Sequence, residues 1–491
     1  MLGAHKTKSF VDAIWDKEIV PTLTDYIRIP NKSPAFDSEW EKHGHMNKVV
    51  EMFTAWAKDK LKQLPGSSLE VVCLPGRTPL IFIEVPGATG NPERSEGVAS
   101  DSVVRHGETI LMYGHLDKQP EMTGWTDSPG PWEPVLKNDR LYGRGGADDG
   151  YAMFAAISAL LALKEQNIPH ARAVIVIEAC EESGSPDLPF YIDHLAERIG
   201  TPDLVVCLDS GCGNYDQLWL TTSLRGMVIG NLTVRVLTEG VHSGDASGVV
   251  ASSFRIARQL LSRIEDEANG QMKIDSLFVQ VPPERQEQAK AAAGILGDEV
   301  YTKLPFAPGM KPMTDDPAQL ILNRTWRPQL AITATAGYPT PENGGNVLLP
   351  YTTLKLSLRL PPTCEAEPAR LAVKKALEDN APYGATVEFD APRGETGWNA
   401  PALSPWLAKA LDKASKDHFG KPPAFMGEGG SIPFMAMLGK KFPKTQFVVT
   451  GVLGPHSNAH GPNEFLHIPT GKKVSASIAS ILADHAQHGL K

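Results

Sequence analysis

The sequence predicts an α/β fold, a mixed sheet flanked by helices, with a second domain of α+β texture inserted into it. Three observations lead there. A chain of 491 residues exceeds what one hydrophobic core usually supports. Short apolar runs rich in β-branched residues alternate with helical stretches over the first 220 or so positions, the pattern of a sheet covered on both faces. After Thr222 the texture changes to half-exposed strands and amphipathic helices, and from about Leu403 the first pattern resumes. The boundaries read from this are 1–222 and 394–491 for the two parts of one domain and 223–393 for the insert.

Taken in order, Ser9–Val20 carries Phe10, Ile14 and Trp15 on one stripe, and Pro21 is expected to open a second short helix. Asn47–Leu61 repeats Val49, Phe53, Trp56 and Ala57 at helical spacing. Strands are expected at Leu69–Leu74, Leu80–Val85 and Thr109–Tyr113, with Gly90–Ser102 as a polar surface loop before the last. A helix over Tyr151–Glu165 leads into the strand Ala173–Ile177, then a helix near Leu188–Arg198 and the strand Leu204–Leu208. In the insert, Gly230–Leu237 alternates as a half-exposed strand and Val249–Ile264 reads as a helix. Leu354, Leu356, Leu358 and Leu360 share one strand face opposite Lys355, Ser357 and Arg359. Glu284–Gly345, rich in Pro, Gly and charge, reads as irregular. Helix Glu367–Glu378 and strand Thr386–Phe389 close the insert, and Leu403–Ala414, Gln446–Thr450 and Thr470–His485 complete the first domain.

Composition excludes several classes of function. The net charge of −9 leaves no basic footprint for nucleic acid or anionic lipid, and the Lys pairs 440–441 and 472–473 are isolated. Five cysteines without a Cys-x-x-Cys spacing make neither a disulfide framework nor a redox motif, which points to a reducing compartment. The N-terminal residues lack an apolar signal core, and no run of 18 apolar residues occurs, so a cytoplasmic protein without a membrane span is expected.

The chemistry sits where apolar strands stop. Ala173-Val-Ile-Val-Ile ends in Glu178-Ala-Cys-Glu-Glu-Ser-Gly-Ser185, and on an extended chain Glu181 and Glu182 would point to opposite sides, one toward a metal and the other toward a reacting water. Thr109–Tyr113 ends in Gly114-His-Leu-Asp117, either a metal ligand steadied by a carboxylate or the base and orienting acid of a hydrolase. Gly143-Arg-Gly-Gly-Ala-Asp148-Asp149-Gly150 lacks the spacing of a dinucleotide or phosphate loop but places an acidic pair in a turn. Leu204-Val-Val-Cys-Leu ends in Asp209. Ligand sites in open α/β sheets form beyond the carboxyl ends of the strands, so these groups are expected to converge. Clustered acid repels itself unless cations intervene, and mixed imidazole and carboxylate donors suit zinc, manganese or cobalt. His456 and His460 in His456-Ser-Asn-Ala-His460-Gly-Pro-Asn-Glu464 are candidates for a second imidazole.

Taken in chain order, His115-Leu-Asp117, Gly143–Gly150, Glu181-Glu182-Ser-Gly-Ser, Asp209 and His460-Gly-Pro-Asn-Glu464 resemble the co-catalytic dinuclear metallopeptidases that include carboxypeptidase G, aminoacylase-1 and carnosinase. The insert, His242-Ser-Gly and Gly427-Glu-Gly-Gly-Ser431-Ile-Pro look most like the cytosolic non-specific dipeptidase and carnosinase branch. The resemblance implies a zinc-exopeptidase-like catalytic domain and an inserted lid and dimerisation domain. It further implies that Asp148 bridges two divalent ions, one also held by His115 and Asp209, the other by Glu182 and His460, with room for a shared water. Glu181 is then the general base and Asp117 orients His115. The same resemblance implies a cis peptide after Asp148. In the insert it implies that His242 reaches the active site of a dimer partner, and that Arg359, with Gly430 and Ser431, receives the carboxylate of a small peptide substrate. The chain departs from the common pattern at Asn346-Val-Leu-Leu-Pro350, which makes Asn346 a weaker candidate for a substrate contact. The expected activity is hydrolysis of dipeptides or short peptides with a free C-terminal carboxylate. A deacylase of N-acyl-amino acids or a short-peptide carboxypeptidase uses the same chemistry, and a non-catalytic binding homologue would require a lost ligand.

Overall fold

The computed structural model describes residues 2–88 and 108–489, so the loop expected at 90–102 lies outside the described residues. The chain forms two compact units. The first comprises Met1–Thr221, Ala400–Met426 and Met437–Lys491, and the second Thr222–Asn399 with Gly427–Ala436. The boundary expected at 394 places Gly427–Ala436 with the first domain, whereas here it packs within the second unit.

At the centre of the first unit is a six-stranded mixed sheet. Its spatial order is Ser68–Val72, Leu80–Val85, Arg172–Glu178, Thr109–His115, Leu204–Cys207, Gln446–Val449. The first two strands run antiparallel to their neighbours and the last four are mutually parallel. Every residue of Thr109–His115 and Leu204–Cys207 is buried, as expected of strands covered on both faces, and this is why they read as unbroken apolar runs. The helix Ala152–Glu165 is apolar nearly all round for the same reason: twelve consecutive residues, Ala152 to Leu163, are buried. It packs against the helix Ile468–Gly489, which also contacts Pro405–Phe419 and Ala4–Ile14.

A small antiparallel ribbon matters most for function. Arg140–Tyr142 pairs on one side with Val135–Lys137 and on the other with Phe465–His467, Tyr142 opposite Phe465. This pairing brings the end of the loop containing His460 to the start of the glycine-rich turn 143–150. Three-residue strands carry too little periodicity to be read from sequence, and these were not.

In the second unit, the strands Gln329–Ala336, Tyr351–Leu360, Gly226–Arg235 and Thr386–Asp390 form an antiparallel sheet in that order. Thr352, Leu354, Leu356, Leu358 and Leu360 are buried in a core shared with the helices Ser253–Ile264 and Ala366–Glu378, and the strict alternation puts Arg359 on the other face. Truncating a core residue such as Leu356 to alanine would cost about 2–5 kcal/mol.

Three local expectations are corrected. Pro21 stands in the first turn of a second short helix, Val20–Ile27, but no break separates that helix from the first. The helix Ala4–Ile14 continues through a wide turn, Trp15–Ile19, into Val20–Ile27; the Val20 N–H bonds back to the Trp15 carbonyl just before the proline, which has no N–H to donate. Glu284–Gly345 is not irregular but holds the helices Pro283–Leu296 and Pro317–Thr325 and the strand Gln329–Ala336. The first of these buries Arg285, Ala289, Ala292 and Leu296, a set with a single large apolar residue that marks a helical stripe poorly; the second is capped by the Asp316 carboxylate, which accepts the N–H groups of Ala318 and Gln319. Finally, Glu181 and Glu182 are not on extended chain. They begin a 3₁₀ turn, Glu181–Ser183, closed by Gly184 at φ +84°.

Candidate metal centre

Three parallel strands deliver donors to one edge of the sheet. His115 is the last residue of the strand Thr109–His115, Glu181 and Glu182 follow the neighbouring Arg172–Glu178, and Asp209 follows Leu204–Cys207 on the other side. The residue before His115 must be glycine: a Cβ on Gly114 would lie 2.4 Å from the Ala152 Cβ and 2.6 Å from an Asp149 carboxylate oxygen. The fourth donor, Asp148, comes from the turn after Tyr142, in which the Asp148–Asp149 peptide is cis.

The result is two donor triplets sharing one aspartate. His115, Asp148 and Asp209 form the first, and Asp148, Glu182 and His460 the second; within each, one ligand atom per residue lies within 4.8 Å of the others. The two Asp148 oxygens face different imidazoles, Oδ1 lying 3.3 Å from His115 Nε2 and Oδ2 3.0 Å from His460 Nε2. His115 Nε2 is also 3.8 Å from Asp209 Oδ1, and His460 Nε2 is 3.3 Å from Glu182 Oε2. His456, the alternative second imidazole, does not join either triplet among the described residues.

The electrostatics fit a cationic occupant. Burial, with the neighbouring negative charge of Asp148, raises Asp209 to about 7 and Glu182 to about 8. Glu181 is raised well above the usual carboxylate range, first by burial and then by Asp209. Partial desolvation opposes charge on His460, but Asp148 and Glu182 outweigh it and carry the imidazole to about 9. The donor set, one imidazole and two carboxylates per triplet, is that of a borderline divalent metal.

Surrounding groups fix these side chains. The His115 Nδ1 lies 3.2 Å from the Asp117 main-chain oxygen and 3.4 Å from its carboxylate. The Asp117 carboxylate accepts the main-chain N–H groups of Glu181 and Glu182, both at 3.1 Å. Glu178 is buried and raised to about 7, chiefly by burial, and accepts from Tyr113 and Ser185 at 2.6 and 2.8 Å, anchoring both ends of the acidic turn. Gln119 was missed in the sequence: its amide donates to Glu182 Oε2 at 2.6 Å. Its place two residues after Asp117, on the chain leaving the His115 strand, was the available signal.

The remaining candidates lie in the second unit. Arg359 Nη1 donates to Ser431 Oγ at 3.4 Å, and Ser431 in turn donates to the Arg225 main-chain oxygen at 2.6 Å. Gly430 contributes its carbonyl, which accepts the Arg225 N–H at 3.1 Å, and Arg225 Nε donates to the Gly429 carbonyl at 3.0 Å. Arg225, unread in the sequence, thus clamps the Gly429–Ser431 turn; burial and the nearby guanidinium groups of Arg359 and Arg324 push it down to about 9. His242 sits on a two-residue ribbon opposite Val347, its side chain 68% exposed, and the Asn346 carbonyl accepts the next N–H, that of Ser243.

Fold and site together fit a peptidase that works with metal, its two donor triplets meeting at Asp148. Residues 111–484 match peptidase family M20/M25/M40, and the chain belongs to that family. A cysteinylglycine-S-conjugate dipeptidase from Corynebacterium striatum is 28% identical over 77% of this chain and 81% of its own. Among solved structures, the dipeptidase Dug1p from Saccharomyces cerevisiae has a TM-score of 0.75 at 22% identity, covering 99% of both chains. Human carnosine dipeptidase 1 has a TM-score of 0.76 at 22% identity, again over 99% of both, and the two likenesses show a shared fold. The protein is therefore a metallopeptidase, as the motifs suggested. No helix among the described residues is long and apolar enough to cross a membrane.

Proposed function

We propose that this chain is a dipeptidase that uses two divalent ions to cleave dipeptides or short peptides carrying a free C-terminal carboxylate. The observation that carries the reading is the pair of donor triplets sharing Asp148, with Glu181 in the same turn as Glu182. His115 and Asp209 would hold one ion, Glu182 and His460 the other, and Asp148 both; the donor chemistry favours zinc, with manganese and cobalt suited to the same set. When bound, such ions act as Lewis acids and make water a nucleophile near neutral pH.

The chain's own residues supply the rest. Glu181, in the same turn as Glu182, takes the proton of the attacking water and delivers it to the leaving amine. Asp117 orients His115. Arg359, with Ser431 and Gly430, receives the substrate carboxylate, for which a guanidinium fork is suited. His242, exposed and beside Asn346, serves the active site of a second copy and polarises the scissile carbonyl, so the working form is a homodimer. Mixing inactive His242→Ala and Glu181→Gln proteins should then restore activity through mixed dimers; no recovery after subunit exchange would contradict the role in trans. The five cysteines are all free, which supports a reducing, cytoplasmic setting.

The dipeptidase names of the relatives support this substrate class over the N-acyl-amino acids. Comparing a free dipeptide with its N-acetylated form tests it. The reading expects the free dipeptide to be the better substrate in kcat/KM; preference for the acetylated form would make the protein a deacylase.

A further inference from the structure

The peptidase chemistry leaves Arg144 without a task. Its side chain is 1% exposed, and an arginine is rarely buried unless every donor is engaged. Here they are. Nε donates to the Pro120 carbonyl at 3.2 Å, Nη1 to the Glu464 carboxylate, and Nη2 to the carbonyls of His460 and Gly461, both at 3.0 Å. Glu464 is fully buried and closes the arrangement from the other side. Its second carboxylate oxygen accepts the Gly145 N–H at 2.8 Å and its main-chain oxygen the Gly143 N–H at 2.9 Å. One guanidinium therefore ties the turn that presents Asp148 to the loop that presents His460, across 316 residues of sequence.

The two imidazoles need this support unequally. His115 ends a central strand, its side chain fully buried and held by Asp117. The His460 side chain is 55% exposed, on a loop whose main chain passes through left-handed conformations at His456, Asn458, His460 and Asn463. Four such residues, none of them glycine, give the loop little intrinsic preference for its observed path. The bond from Arg144 to the carbonyl of His460 itself fixes that residue's backbone.

We infer that Arg144, with Glu464, is a positioning residue for one of the two cation sites. It sets His460 against Asp148 and Glu182, and its guanidinium bonds reach neither His115 nor Asp209; the turn of Asp148 keeps its own two bonds to Glu464. Lysine cannot replace it, because a single ammonium cannot span two carbonyls and a carboxylate as a planar fork does. The inference rests on the reading that both triplets hold divalent ions.

Equilibrium dialysis of the full chain against Zn²⁺, with elemental analysis, tests it on the wild type, Arg144→Lys, Glu464→Gln, His460→Ala and the Arg144→Lys/His460→Ala double variant. The wild type should bind two ions per chain. Arg144→Lys should retain one at unchanged affinity and lose affinity for the other by tenfold or more, the range typical of groups supporting a metal ligand. Glu464→Gln, which leaves the bonds to the two carbonyls in place, should weaken the same ion less. In the His460→Ala background, Arg144→Lys should leave the remaining ion unaffected. Equal weakening of both ions, weakening of neither, or further weakening in the His460→Ala background overturns the inference while leaving the two-ion reading intact. A wild type that binds fewer than two ions overturns both. If Arg144→Lys fails to fold by circular dichroism, Glu464→Gln carries the test; failure of both to fold makes the pair a scaffold and overturns the positioning role.

Discussion

The carboxylate of Asp117 receives the main-chain N–H of Glu181 at 3.1 Å, and its second oxygen receives that of Glu182 at the same distance. One aspartate, placed two residues after His115, thus steadies an imidazole and also sets the turn carrying two further functional carboxylates. Replacing it with asparagine turns one acceptor into a donor facing an N–H. Asp117→Asn should lower kcat and metal affinity by about 10–100-fold, as supporting groups around metal ligands do. Steady-state kinetics with metal analysis checks this; wild-type values for both would mean the turn holds itself.

Adjacent glutamates should fail in different ways. Glu181→Gln should retain bound metal and lose about 10²–10⁴ in kcat, the usual contribution of a general base. Glu182→Gln should lose metal first and activity as a consequence. Metal content measured beside kcat separates the two, and a Glu181→Gln protein with full activity would remove the proposed base.

Arg359 offers a test of substrate end recognition. Arg359→Met should lower kcat/KM for free dipeptides by about 10–100-fold, since a hydrogen bond to a charged group contributes about 1.5–3 kcal/mol. Peptides with an amidated C-terminus should already be poor substrates and change little. Equal losses on both would show that Arg359 acts on the fold of its unit and not on the carboxylate.

A buried histidine makes stability depend on pH. His418 is 8% exposed, its Nε2 lies 2.8 Å from Ser480 Oγ, and burial lowers it from 6.5 to about 4. The folded state keeps the ring neutral where the unfolded chain would protonate it. The stabilisation is present above pH 6.5 and is lost as pH falls from 6.5 through 4, on the order of 3 kcal/mol in all. His418→Gln should flatten this part of a urea-denaturation series run between pH 4 and 7; an unchanged acid limb would assign it to other groups.

Much of the candidate site was readable because three of its donors, His115, Glu182 and Asp209, lie where apolar runs end. Parallel strands bring these three to one edge whatever the loops between them do, while Asp148 and His460 stand in short motifs on a turn and a loop. Pairings between distant short segments were not readable. Tyr142 opposite Phe465 is a contact across three-residue strands, and the clamp of Arg225 on Gly429 joins residues 204 apart. The backbone of Glu181 and Glu182 reads as extended in the sequence but is a turn, because Asp117 draws their N–H groups to its carboxylate, a tertiary effect that overrides the extended run before it.

Protein stripped by a chelator and titrated with Zn²⁺ should hydrolyse a free dipeptide fully only once the second ion per chain has bound. Undiminished hydrolysis by the stripped protein, or full activity with a single ion, would contradict a centre in which Asp148 serves two metals.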